Sequence, residues 1–451
     1  MKEDPTLGAL TPFDFSQILE EVPELGKFAY KIDSHTFSPL IDSSDVEPSL
    51  WVELANLIEA RYDDYDGFVI LHGTDTMAYS ASVLSFMIEG LTKPVIFTGS
   101  QLPIGAPRTD GKENLISAVE IAAAKNDEGH ALVPEVCICF DNILMRGNRT
   151  SKLNSDNFRA FRSPNCPPLA EAGINIKYNT GTIIHPKDWD IHPIFHKKLD
   201  TRVAILKIHP GITPQVAKSI LCAQESKAVI LETYGAGNAP SKGWFLDMIK
   251  EATEMGKILL NVTQCRAGSV NMDIYATGKC LKDIGVVSGY DSTTESALAK
   301  LFYLLGNFRD NEEVKRMLQD NWEEAVQERR YIAILEGQIE SEEGYIETWM
   351  YENQKSLMVH CYDMRPGDTP AKPPRKDWKY ASSHCRKVRE LTIDGKPYTE
   401  VEFNLETGRR NQIRVHSQCI GHPIAGDKKY GATSNPLGRL ALHAQKLTIV
   451  H

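Results

Sequence analysis

The chain has no Cys-x-x-Cys pair, and its nine cysteines are odd in number and scattered from Cys137 to Cys419. Such spacing argues against both a zinc site and a disulfide framework, so reduced and mostly core cysteines are expected. Long apolar runs are missing as well. None approaches the roughly 18 residues that a membrane-spanning helix requires, and the opening MKEDPTLGAL lacks the charged-then-apolar pattern of a signal peptide. The expectation is a cytoplasmic protein with no membrane partner. A strong basic excess is absent too, since the net charge is -10. That charge is unevenly divided: residues 322–451 carry 19 Lys and Arg against 18 Asp and Glu, leaving 31 against 42 for residues 1–321. An acidic body does not favour polyanionic partners, whereas a near-neutral segment with local basic clusters tolerates one.

What is present begins with length. A chain of 451 residues with 42% hydrophobic content has enough material for about three domains of ~150 residues. The stretch that organises the first of them is GFVILHGTDTM, Gly67 to Met77. Its apolar run, ended by glycine, reads as a buried parallel strand with His72 to Thr76 at its carboxyl end, where open α/β sheets bind ligands. Around it, helices near 50–61, 78–91 and 110–125 alternate with the strands PVIFTGS and EVCICF. That alternation predicts βαβ units and a parallel sheet with helices on both faces. Residues 141–200 read as a looser interdomain connection. A second alternating set, VAILKIH, AVILETYGAGNAP and KILLNVTQC with intervening helices, predicts a smaller α/β domain.

Residues 311–330 place Val314, Met317, Leu318, Trp322, Ala325 and Val326 at helical spacing and read as one unbroken helix. Beyond it the pattern changes to short strands and Gly-containing turns, including NQIRVHSQ as a strand. The fold class expected is therefore α/β in two domains, 1–190 and 191–318, followed by an α+β module over 319–451.

Thr74, Asp75 and Thr76 are the first chemical candidates. On spacing alone, Thr74 before a helix is an N-cap hydroxyl and Asp75 a first-turn carboxylate favouring the helix dipole. A threonine nucleophile needs a base, for which Lys152 in GNRTSK is a candidate. In the last module, TGRRNQIRVHSQ read as a strand puts Arg410, Gln412, Arg414 and His416 on one face. Such a face is either an exposed polar surface or, with Arg409, a wall for nucleic-acid phosphates. Tyr331, Trp378, Tyr380 and Tyr430 lie nearby in sequence for stacking a base. Two weaker patterns are set aside. His185, Asp188, Asp190, His192 and His196 suggest a metal, but Pro186 and Pro193 break any common helical face, so no metal is expected. YGAGNAP imitates a dinucleotide loop but has proline in place of the third glycine, so no cofactor is expected.

Six segments in order, HGTDTMAYSAS, PVIFTGSQLP, RTDGKENL, MRGNRTSK, YGAGNAP and NVTQCRAGSVNM, closely resemble the cytoplasmic type I L-asparaginases over residues 1–318. The resemblance implies the two-domain parallel-sheet asparaginase fold, a homo-oligomer and asparagine as substrate. It implies that Thr74, Asp75 and Lys152 form the hydrogen-bonded triad of amide hydrolysis. Ser43, Ser44, Gly73 and Ser100 are implied to hold the substrate's α-amino and carboxylate ends. The family opens with an apolar strand and Thr-Gly-Gly-Thr-Ile-Gly-Met, whose threonine is a second nucleophile, and neither occurs here. Met1 falls at that motif's methionine, which reads as a start assigned internally, and slow asparagine turnover by residues 1–451 is expected.

The segment from WEEAVQERRYIAILEG to TGRRNQIRVHSQ and beyond resembles the RluA-like RNA pseudouridine synthases from about residue 320 onward. By that resemblance Tyr331 packs beside the target uracil, Arg414 pairs with the catalytic aspartate, and structured RNA, ribosomal or transfer, is the partner. The family's Arg-Leu-Asp-x-x-Thr-Ser-Gly motif has no counterpart in the chain, and the family continues past His451, so both active sites are expected to be incomplete. Three functions follow: an asparaginase fused to a uridine-isomerase domain, an RNA pseudouridine synthase, or a non-catalytic RNA-binding scaffold.

Overall fold

The computed structural model describes residues 2–4, 9–11, 21–186, 188–319, 328–353, 358–364, 375, 378–405, 409 and 411–448. The chain divides into two compact units, residues 1–321 and 322–451.

Unit 1 is built on two sheets. In chain order its elements are α1 (Pro48–Arg61), β1 (Phe68–Leu71), α2 (Met77–Met87), β2 (Val95–Thr98), α3 (Gly111–Ala123), β3 (Val136–Phe140) and β4 (Ile143–Arg146). Short strands follow: β5 (Ser151–Lys152), β6 (Phe161–Arg162), β7 (Ala170–Ala172) and β8 (Ile176–Tyr178). The first sheet runs β8-β7-β4-β3-β2-β1. Its β1, β2 and β3 are parallel, whereas β4, β7 and β8 add on in antiparallel fashion. The sheet is thus mixed, and part of the segment expected to be a loose connection supplies half its strands. The reason is local: Asp141 and Asn142 adopt φ of 50° and 64°, turning the chain straight back so that β4 pairs with β3. β1 stands at the sheet edge with Leu71 40% exposed.

The second sheet, β9 (Val203–Lys207), β10 (Ala228–Thr233), β11 (Ile258–Thr263) and β12 (Val287–Ser288), is parallel throughout. Helices α4 (Pro214–Leu221), α5 (Gly243–Glu254), α6 (Ala276–Asp283), α7 (Thr294–Asn307) and α8 (Asn311–Gln319) complete the unit. β10 and β11 are buried almost end to end, as parallel strands covered on both faces must be. Alternate residues feed opposite cores: Ile230 and Leu260 join Trp51, Leu84 and Phe302, while Val229 and Leu259 join Phe245 and Ile249.

Unit 2 is a six-stranded antiparallel sheet of β13 (Glu328–Glu336), β14 (Glu343–Asn353), β15 (Met358–Asp363), β16 (Lys379–Ile393), β17 (Lys396–Leu405) and β18 (Leu442–Thr448), with helix α9 (Gln412–Cys419) on one face. The strand order is β15-β14-β16-β17-β13-β18. Two expectations change here. The helix at 311 is described as far as Gln319, residues 320–327 lie outside the described residues, and Glu328–Arg330 already belong to β13. NQIRVHSQ is helical rather than extended, entered through Asn411 at φ 57°. The cysteine expectation changes too, because Cys361 of β15 and Cys419 of α9 are joined as a disulfide.

Candidate active site

The loops after β1 and β2 meet because glycine lets their backbones touch. A Cβ on Gly99 would stand 2.3 Å from the His72 carbonyl oxygen, and one on Gly73 would stand 2.4 Å from Ser43 Oγ. Around this contact the first loop is held from behind. Trp51 Nε1 donates to Ser80 Oγ at 2.9 Å, and Ser80 Oγ lies 3.0 Å from His72 Nε2. His72 Nδ1 is 2.6 Å from the Gly73 carbonyl oxygen. The Gly73 carbonyl can only accept, so Nδ1 carries the ring proton, and Nε2 accepts from the Ser80 hydroxyl, which itself accepts from Trp51. Desolvation keeps the His72 ring below the usual imidazole range, which preserves this neutral tautomer. The second loop is fixed by Asp110, whose carboxylate accepts from the backbone N–H of Gln101 (3.0 Å) and Leu102 (3.1 Å). Asn114 Nδ2 donates to the Gly99 carbonyl at 2.9 Å.

Thr74 projects from this frame. It is not a helix cap: α2 starts after Thr76, whose hydroxyl donates to the Ser43 carbonyl at 2.6 Å. Lys152 Nζ lies 2.7 Å from Thr74 Oγ1 and 2.7 Å from Asp75 Oδ1. The Thr74 hydroxyl also donates to Gln101 Oε1 at 3.2 Å. Three residues separated by up to 78 positions thus form a hydroxyl–ammonium–carboxylate chain. Asp75 is 67% exposed and Lys152 18%, so the chain opens to solvent on the carboxylate side.

The strand carrying Lys152 is tied to the second half of unit 1. Arg149 forms an ion pair with Asp291, Nη1 to Oδ1 at 3.0 Å, and Ser151 Oγ donates to Glu295 Oε2 at 2.9 Å. Burial pushes the Glu295 carboxyl above its usual range. Of the other candidates, Ser43 is buried against Gly73, and Ser44 is exposed with its hydroxyl donating to Asp42 at 2.7 Å. Ser100 precedes Gln101 on the second loop. Gln101 and His72 were missed as site residues, although each stands inside a quoted motif.

In unit 2 the candidate residues separate. Arg410 lies outside the described residues. Gln412 and His416, expected on a phosphate-facing strand, are 2% and 0% exposed. One helical turn apart, they face the sheet. Gln412 Nε2 donates to the Ser382 carbonyl (2.8 Å) and Ser383 Oγ (2.9 Å). His416 lies 2.9 Å from Ser383 Oγ through Nδ1 and 3.0 Å from Thr348 Oγ1 through Nε2. They anchor α9 instead of contacting phosphate. Burial lowers the His416 pKa to about 4. Arg414 makes a bidentate pair with Asp427, 2.7 Å at both contacts, and its guanidinium lies 4.8 Å over the Tyr430 ring. Asp427 is thus the carboxylate partner of Arg414, with a side chain only 1% exposed. Tyr331 is half-buried on the α9 side of the sheet, and Arg409 is exposed with Nε donating to the Tyr380 carbonyl at 2.9 Å.

Among the described residues no group of three His, Cys, Asp or Glu is placed to hold a metal, and no helix is long and apolar enough to cross a membrane.

Comparison with known proteins matches three segments of the chain. Residues 1–183 match the family described as Asparaginase, N-terminal, and residues 202–318 the Glutaminase/Asparaginase C-terminal domain. Residues 309–418 match RNA pseudouridylate synthase. L-asparaginase 1 of Escherichia coli (strain K12) is 46% identical over 301 residues, 66% of this chain and 85% of that protein. The crystal structure of L-asparaginase I from Vibrio cholerae superposes with a TM-score of 0.63 at 45% identity, covering 69% of this chain and 92% of the other. The L-asparaginase of Thermococcus kodakarensis gives 0.63 at 32% identity, covering 70% and 92%.

Proposed function

The chain belongs to the asparaginase family, and from that membership we propose that unit 1 hydrolyses the side-chain amide of L-asparagine through Thr74, Lys152 and Asp75. The observation that carries this is Lys152 Nζ standing 2.7 Å from both its partners. The reactive form carries Lys152 as a neutral amine: Thr74 Oγ1 attacks the amide carbon as its proton passes to that amine, and the Asp75 carboxylate stabilises the ammonium so formed. Ammonia leaves with a proton returned by Lys152, and water releases aspartate and restores the hydroxyl. Ser43, Ser44, Gly73 and Ser100 receive the α-amino and carboxylate ends. Thr74→Ala should abolish ammonia release while leaving substrate binding measurable; an unchanged rate would remove Thr74 from the chemistry. The same reading makes the protein cytoplasmic and a homo-oligomer through unit 1, which light scattering of the purified chain checks.

Fused to it is a domain of the pseudouridylate synthase family, for which we infer an RNA partner. Tyr331 offers a wall for a uracil on the α9 side, Arg409 an exposed cation for phosphate, and Arg414 holds the neighbouring loop through Asp427. Tritium release from RNA labelled at uridine C5 tests isomerisation, and salt-dependent RNA retention without release would leave this domain as a binding module.

A further inference from the structure

The unit 2 sheet has two faces of different character. On the α9 face, Ile346, Val401, Leu405, Ile413 and Ile424 form an aliphatic core. Register assigns the opposite face. Trp349 of β14 pairs with Tyr362 of β15 on one side and with Tyr380 of β16 on the other, and Tyr345 pairs with His384. These side chains, with Trp378 two residues before Tyr380, all point away from α9, since residues paired across strands share a face. The rings are organised. Tyr362 and Trp378 stack with centroids 4.2 Å apart and planes 11° from parallel, and Arg375 lies 5.4 Å over the Trp378 ring. Tyr380 meets Trp349 edge-on at 6.1 Å, and Tyr345 lies 4.8 Å from His384. Trp349 is buried beneath them at 1% exposed, whereas Tyr362 is 42% and Tyr345 63% exposed.

We propose that this aromatic strip is a second nucleic-acid site, which stacks the bases of a single-stranded RNA segment on the sheet face opposite α9. The reading rests on the RNA partnership of unit 2. The choice of occupant comes from the chemistry of the face. A protein partner's core would be met by aliphatic side chains of the kind found under α9, whereas the strip offers aromatic rings, imidazole and a guanidinium, with its carboxylates Glu343 and Glu347 bound to His384 and to the Tyr380 hydroxyl. Every base has a π-face, and rings on adjacent strands stack single strands without regard to sequence, reinforced by arginine. Four residues separate Tyr345 from Trp349, about 13 Å along a strand, so a short oligonucleotide can span the strip. Two further cations of this face, Arg386 and Arg389, are already paired with Glu402 and Glu400. Stacking rather than phosphate neutralisation therefore dominates, and the salt dependence is shallow.

The test is anisotropy of a labelled 12-nucleotide oligo(U) titrated with the full chain. Tyr345→Ala with Tyr362→Ala should weaken binding by about tenfold per ring. Because both side chains are exposed, the fold is kept, and the corresponding Phe pair, which retains the rings, should bind within about twofold of wild type. Binding by the Ala pair equal to wild type would overturn the proposal. If affinity then falls only with Arg409→Ala, the RNA reading of unit 2 stands and the strip is discarded. Absence of any binding by wild type overturns both. Self-association that is lost with the Ala pair while RNA affinity is unchanged would assign the strip to a second copy of the chain and overturn it as well.

Discussion

Each unit pairs a cation with a carboxylate at 2.7 Å, Lys152 with Asp75 in unit 1 and Arg414 with Asp427 in unit 2. Burial separates their roles. Asp75 is 67% exposed and Asp427 1%. An open pair adds little to stability, because water and ions screen it and its side chains lose entropy. In the second pair the carboxylate is sealed and the Arg414 guanidinium only 23% exposed, so breaking it forfeits two charge-assisted hydrogen bonds. The first pair is therefore free to take part in chemistry, and the second holds the Gly426–Gly431 loop against α9.

Substitutions can break this contrast, and the largest effect is expected in unit 1. Lys152→Met should lower the rate of ammonia release by at least about 10³-fold, as for members of a catalytic unit, with the melting temperature nearly unchanged. Equal losses of activity and stability would end the distinction between the pairs. Asp427→Ala should do the reverse, destabilising unit 2 by about 1.5–3 kcal/mol, the worth of hydrogen bonds to a charged group, in denaturant titration while asparagine hydrolysis continues. A smaller effect is expected from pH. His416 titrates at about 4 in the fold against an ordinary ~6.5, so between these values the unfolded chain binds more protons. Its contribution is complete above pH ~6.5 and is lost as pH falls through 4, on the order of 3 kcal/mol. His416→Gln should flatten the acid limb of unit 2's stability profile. The smallest effect is that of Gly73→Ala. A Cβ 2.4 Å from Ser43 Oγ must push that serine aside, and a loss of about tenfold in kcat/KM, mostly through KM, is expected.

The same contrast runs through what could be read from the sequence. The strand ending in HGTDTM was legible because an apolar run stopped by glycine states both its conformation and its buried end. Triad membership was legible only through resemblance, since no periodicity links Lys152 to a threonine 78 positions away. The α9 segment misled for a physical reason. N-Q-I-R-V-H-S alternates polar and β-branched residues, the pattern of a half-buried strand. Helix prevails because Gln412 and His416, spaced one turn apart, find Ser382, Ser383 and Thr348 on the sheet. Those partners lie about 30 or more positions away and leave no trace in local sequence. The antiparallel half of the first sheet was hidden similarly, because strands of three or four residues carry too few side chains to show a period.

The most direct test of the account is the rate of ammonia release from L-asparagine by Thr74→Val and Thr74→Ser beside wild type. Valine keeps the shape of threonine without its hydroxyl, and serine keeps the hydroxyl. The expected result is loss of at least about 10³-fold with valine and recovery of measurable turnover with serine, at similar melting temperatures. Wild-type rates in the valine variant would contradict the account and return Thr74 to a structural role.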